Sequence, residues 1–145
     1  MNRQSGFTLT ELLLVLAILG VVSAIAIPLL MGRRDSARQA STVAVAQSVA
    51  AECDSAAKAM SGATPAAVMA YVRSLPNFQF PRCRNAYANG VSALVAAGPA
   101  VNDGEVGMSA STLADPSGSV NKIIIVTYKH SGTPAPLVLG QVPVE

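Results

Sequence analysis

The sequence predicts an α+β fold: a long N-terminal helix packed on a small four-stranded antiparallel sheet. The helix should be hydrophobic in its first half and amphipathic in its second. Three observations predict this. Leu12 to Met31 contains no charged residue. Ala37 to Met60 contains neither Gly nor Pro and repeats apolar residues at steps of three and four. Beyond Pro76, strand-like runs alternate with turn signals.

The chain has 145 residues, enough for one domain, and is 51% hydrophobic but only 12% charged. The charge is unevenly placed: every Lys and Arg except Arg3 lies at or beyond Arg33. An apolar run of about 20 residues is long enough to cross a bilayer as a helix. The formal net charge of +2 is too small to argue for nucleic acid.

The first helix carries one anomaly. Between Gly6 and Pro28 the only charged side chain is Glu11. A carboxylate at a bilayer centre costs about 2.5 to 3.5 kcal/mol, and less near the interface. It therefore needs a cation, and no Lys or Arg occurs between Gln4 and Gly32. A secretory signal peptide would use Arg3 as its charged region and Ala24-Ile25-Ala26 as its cleavage site. A plain single-span anchor would account for the length. Neither explains Glu11.

The stretch Gly6-Phe7-Thr8-Leu9-Thr10-Glu11-Leu12, followed by an apolar helix with Gly20 and Pro28, resembles the N-terminus of type IV pilins and pseudopilins. The resemblance is dense over about 25 residues and elsewhere extends only to layout. It implies a leader, residues 1–6, removed by a prepilin peptidase between Gly6 and Phe7, with N-methylation of Phe7. It implies that residues 7–32 form first a transmembrane helix and then the core of a filament. Residues 33–145 become the globular head, which includes the second half of the long helix. Cleavage frees an α-amino group at Phe7, the only cation nearby. Glu11 lies four residues on, about 6 Å along a helix. The pair is open to formation within one chain or between a docking subunit and its neighbour; the resemblance implies that the intersubunit pair guides assembly, with Glu11 as the assembly residue.

Gly20 and Pro28 bracket the region where the helix should kink or melt. Pro28 cannot donate to the carbonyl of Ala24, and Gly20 costs about 1 kcal/mol relative to Ala. The arginines after the span, Arg33, Arg34 and Arg38, conflict with the positive-inside rule. The resemblance places the head outside the cytoplasm, and leader cleavage on the cytoplasmic side requires that orientation.

From Ala37 to Met60, Ala40, Val43, Ala46, Ala50, Cys53, Ala57 and Met60 form one apolar stripe. The only other cysteine is Cys83. In an exported head a Cys53–Cys83 disulfide is expected, closing a loop of about 30 residues and contributing on the order of 3 to 4 kcal/mol. The alternative is two unpaired buried thiols. Many major pilins instead close a C-terminal loop with a disulfide, a feature for which this chain has no cysteines. Ser61-Gly62 ends the helix, and Thr64-Pro65 opens a short one to about Leu75, with Val68, Val72 and Leu75 inward.

The expected strands are about Pro81–Ala88 and Val91–Ala97, joined at Asn89-Gly90, then Val120–Lys129 and Pro136–Val142. Pro136 and Pro143 mark the last as an edge. Gly98 to Gly118 reads as a long loop. Its acids Asp103, Glu105 and Asp115 are candidate calcium ligands by analogy with major pseudopilins, although their spacing matches no known loop motif.

No set of catalytic residues is recognisable, no cofactor is expected, and His130, the only histidine, falls in a turn. Arg73, Arg82 and Arg84 are a weak candidate for a DNA-contacting patch, against scattered surface arginines. The functional expectation is a type IV pilus subunit, anchored in the inner membrane and then assembled into a homo-oligomeric surface filament for adhesion, motility or DNA uptake. Its expected partners are the peptidase, an assembly platform and minor pilins. A type II secretion pseudopilin, whose fibre stays in the periplasm, or a minor competence pilin is the alternative. A monomeric membrane-anchored binding module is a third.

Overall fold

The computed structural model describes residues 7–79, 81–95, 98–114 and 120–144. Helix α1 runs from Leu9 to Ala59, α2 from Pro65 to Ser74, and a 3₁₀ turn from Pro76 to Phe78. Three strands follow: β1 Val106–Ala114, β2 Val120–Tyr128 and β3 Leu137–Val144. The chain forms two compact units, Met1–Ser36 and Ala37–Glu145.

In the first unit, α1 continues through Pro28 without interruption. Loss of one backbone hydrogen bond in a helix of this length leaves its neighbours intact.

In the second unit, the buried positions of α1 are Thr42, Ala46, Val49, Cys53, Ala56 and Ala57. The spacing four, three, four, three keeps them on one face. The stripe expected from sequence is thus rotated at its start: Ala40 is exposed and Val43 only half-buried, while Thr42 takes the inward position. Thr42 is tolerated there because its hydroxyl donates to the Arg38 carbonyl at 3.0 Å. Gly62, at φ +81°, turns the chain out of α1. Thr64 caps α2, its hydroxyl accepting from the Ala67 N–H at 3.3 Å. Val68, Met69 and Val72 face the core.

The sheet order is β1-β2-β3, antiparallel throughout. Met108 pairs with Val126, and Ile124 with Val142. These side chains, with Val106 and Val144, close over the α1 and α2 faces in one apolar cluster. A register shift opposite Val126 and Thr127 leaves Leu139 as an extra residue on β3, a bulge that bends β3.

Two expectations are corrected. Among the described residues the sheet has three strands, not four. Among the described residues of the expected hairpin over 81–97, only isolated bridges form, Arg84↔Ser92 within it and Leu94↔Val106 to β1. Asn85 is the reason: its buried side-chain oxygen accepts from the N–H groups of Tyr87 and Ala88, diverting backbone that a strand would need. Within the expected loop, 106–114 is strand β1. Its Gly, Ser and Ala residues have weak strand propensity, so pairing along all of β2 decides the outcome. Residues 115–119 of that expected loop lie outside the described residues. β3, expected over 136–142, is observed over Leu137–Val144 and is an outer strand of the sheet.

Candidate assembly and anchoring segment

Glu11 sits in the first turn of α1. Its Oε2 accepts from the Thr8 N–H at 3.0 Å and from the Thr8 hydroxyl at 2.7 Å. The Thr8 hydroxyl in turn accepts from the Glu11 N–H at 3.3 Å. This reciprocal arrangement is a capping box, which satisfies N–H groups that no preceding turn can. The acid also lies at the positive end of the helix dipole. Thr8 is the residue that the sequence reading missed. The Thr8-Leu9-Thr10-Glu11 spacing, Thr followed three residues later by Glu, was its visible signal. Both oxygen contacts are made on one carboxylate oxygen; no contact is made by Oε1 among the described residues.

Phe7 is exposed, and so are Leu12, Leu13, Leu14, Leu16, Ile18 and Leu19. No residue of the most apolar 18-residue window of α1 is buried, and α1 is the one helix among the described residues long and apolar enough to cross a membrane. Gly20 has open space around its Cα. Gly6 lies outside the described residues.

Cys53 and Cys83 are both buried and are not joined in this structure. Cys53 points into the core, where its Sγ lies 3.4 Å from the Met108 Sδ. Cys83 instead lines a groove of about 600 Å³ with Ser48, Glu52 and Phe78. Glu52 and Cys53 are adjacent, hence about 100° apart around α1. Burial pushes the Cys53 thiol up to about 11, with Arg73 pulling it back and Glu52 adding to the rise.

The acids of the 101–105 loop are already engaged. Glu105 Oε2 accepts from the N–H groups of Val101 and Asn102 at 2.9 and 2.7 Å, and Oε1 from the Asn102 side chain at 2.8 Å. The Lys129 ammonium donates to the Val101 carbonyl at 2.9 Å and lies 3.9 Å from Asp103 Oδ1. An ammonium thus sits where the loop gathers negative charge. Asp115 lies outside the described residues.

His130 is half-buried: its Nε2 lies 3.0 Å from Gln39 Nε2 and its Nδ1 lies 2.9 Å from the Ser131 carbonyl. Of the three candidate DNA-contacting arginines, Arg73 turns inward, its Nη2 3.5 Å from the Met108 carbonyl. Arg84 Nε donates to the Pro81 carbonyl at 2.9 Å. Arg82 lines the groove beside Cys83. The internal use of Arg73 and Arg84 leaves less free charge for a nucleic acid than their proximity in sequence suggested.

Residues 1–27 match the family described as the prokaryotic N-terminal methylation motif. A stretch of 42 residues is 46% identical to the type II secretion system core protein G of Aeromonas hydrophila. That match covers 29% of this chain, and the chain spans 29% of the relative's length. No solved structure matches. Glu11 in the first turn and the first part of the apolar helix behind it thus lie inside the stretch that matches the prokaryotic N-terminal methylation motif.

Proposed function

We propose that this chain is a structural subunit of a type IV pilin-like filament and acts by assembling rather than by catalysing a reaction. A prepilin peptidase removes residues 1–6 and leaves Phe7 as a methylated N-terminus. Leu12 to Met31 then holds the subunit in the inner membrane, with the head outside the cytoplasm. On assembly the same helix leaves lipid for a core of like helices. Burying each large apolar side chain there is worth about 1.5 to 3 kcal/mol relative to water. Gly20 and Pro28 mark where the helix yields when the fibre is stretched.

The observation that carries this reading is the single acid ahead of the apolar helix. Its Oε2 is held by Thr8, and Oε1 makes no hydrogen bond among the described residues, which leaves it for a neighbour's N-terminus. The amine released at Phe7 supplies a cation there. Hydrogen bonds to charged groups contribute about 1.5 to 3 kcal/mol.

Two destinations fit. One is a surface pilus used in adhesion, motility or DNA uptake. The other is a type II secretion pseudopilus confined to the periplasm, which the similarity to the Aeromonas protein favours. Partners in either case are further copies, minor subunits and an assembly platform.

Substitution Glu11→Leu tests the proposal. Membrane insertion should persist or improve, because an acid has left the apolar medium. Fibre yield should fall at least about ten-fold, the lower end of a charged hydrogen bond's worth. Unchanged fibre yield would refute the assembly role. Recovery of fibres from the medium by shearing indicates a pilus, and recovery only from the periplasmic fraction indicates a pseudopilus.

A further inference from the structure

Arg33 and Arg34 follow the apolar run directly, after Met31 and Gly32. Both are exposed, and neither has an ionic or hydrogen-bonding partner among the described residues, whereas Asp35 and Arg38 make contacts of their own. We infer that Arg33 and Arg34 bind the phosphate groups of anionic phospholipids at the end of the span remote from Glu11, fixing how deep the helix sits. The inference rests on the membrane-anchor reading above.

Geometry supports it in three ways. Leu12 to Met31 is helical throughout and therefore about 30 Å long, the thickness of a bilayer's hydrocarbon core. Arg33 and Arg34 then lie about 3 and 4.5 Å further along the axis, at headgroup level. The long arginine stems can lie along the apolar boundary while their flexible ends keep the guanidinium groups at the level of the phosphates. The planar guanidinium matches two phosphate oxygens at once. Adjacent helix positions point about 100° apart, so the two arginines engage different lipids.

The test uses the mature full chain, labelled with ¹³C at arginine Cζ, in vesicles of phosphatidylcholine and phosphatidylglycerol at four to one. Dipolar dephasing from lipid ³¹P reads the contact. Alkaline extraction and protease protection read insertion separately. The expected result is strong dephasing of an arginine Cζ signal that disappears in the Arg33→Gln/Arg34→Gln double variant. Enrichment of phosphatidylglycerol around the helix should fall by about five-fold per arginine removed. The double variant should remain inserted, since the apolar run is untouched. Insertion without any arginine–phosphorus contact overturns this proposal alone. A cross-peak from either guanidinium to a carboxylate of a second copy would overturn it too, in favour of a protein partner. Failure of the wild-type helix to insert overturns the anchor reading and this proposal together.

Discussion

Alkylation of the folded chain should spare Cys53 far more than it would an exposed cysteine. The thiol is wholly inaccessible, 0% exposed, and its ordinary value of 9.0 is pushed to about 11. Burial causes the rise, Arg73 opposes it, and Glu52 reinforces it. A rise of about two units lowers the thiolate fraction near pH 8 about 100-fold, and the thiolate is the reactive form. Cys83 is buried too, and its thiol is raised by burial against the N–H groups of Leu94 and Ala93. The assay is maleimide labelling followed by intact mass, with and without denaturant and with no reductant. The folded chain should take up label at no more than about one hundredth of the unfolded rate, and the Cys53 rate should climb roughly ten-fold per pH unit between pH 8 and 10. The unfolded chain should take up two labels, one for each free thiol. Rapid labelling of folded Cys53 would refute its packing against Met108. Absence of labelling in denaturant would show the two sulfurs joined and refute their separate placement.

Three further outcomes follow from the head. Glu105 is raised by burial, but its hydrogen bonds from Asn102 and Val101 and the Lys129 charge outweigh that and leave it below its ordinary 4.5. A carboxylate held low in the folded state stabilises above its unfolded value and loses that contribution as pH falls through the folded one. Glu105→Gln should therefore lower the melting temperature at pH 7 and converge with the wild type below about pH 4; calcium or a chelator should shift neither, since Lys129 and backbone N–H groups already hold the loop. Gly107→Ala should destabilise by about 3 kcal/mol, on the order of 10 °C in a thermal melt, because the added carbon meets the backbone of Gly98, Pro99 and Ala100. Ile124→Ala, at a fully buried position of the central strand, should cost about 2 to 5 kcal/mol by denaturant titration.

Legibility of the fold followed the strength of local signals. The two halves of α1 were plain, one from its unbroken apolar run and the other from its Ala-rich repeat. So was α2, because Thr64-Pro65 specifies a start and Pro76 a stop. Strand β2 declared itself through Ile123, Ile124, Ile125 and Val126. β1 did not. Its sequence, VGMSASTLA, has the composition of a loop, and it becomes a strand only because β2 pairs along its whole length. The false hairpin failed for the complementary reason: Asn89-Gly90 does turn the chain, with Gly90 at φ +74°, but Asn85 takes the N–H groups beside it. In the candidate site, Glu11 was conspicuous because charge is scarce around it. Thr8 was not, since a threonine signals nothing until its partner three residues on is considered. Cys53 was placed correctly on the inward face by its repeat of three and four, whereas the surroundings of Cys83 depend on the irregular segment after Pro76, which no periodicity describes.

Intact mass and N-terminal sequencing of the subunit recovered from sheared or periplasmic fibres test the central idea most directly. That idea is that loss of six residues creates the charge that lets Glu11 be buried among like helices. A chain beginning at N-methylated Phe7 is the expected result. A chain that begins at Met1, or at Ile27 after ordinary secretory cleavage, would contradict it.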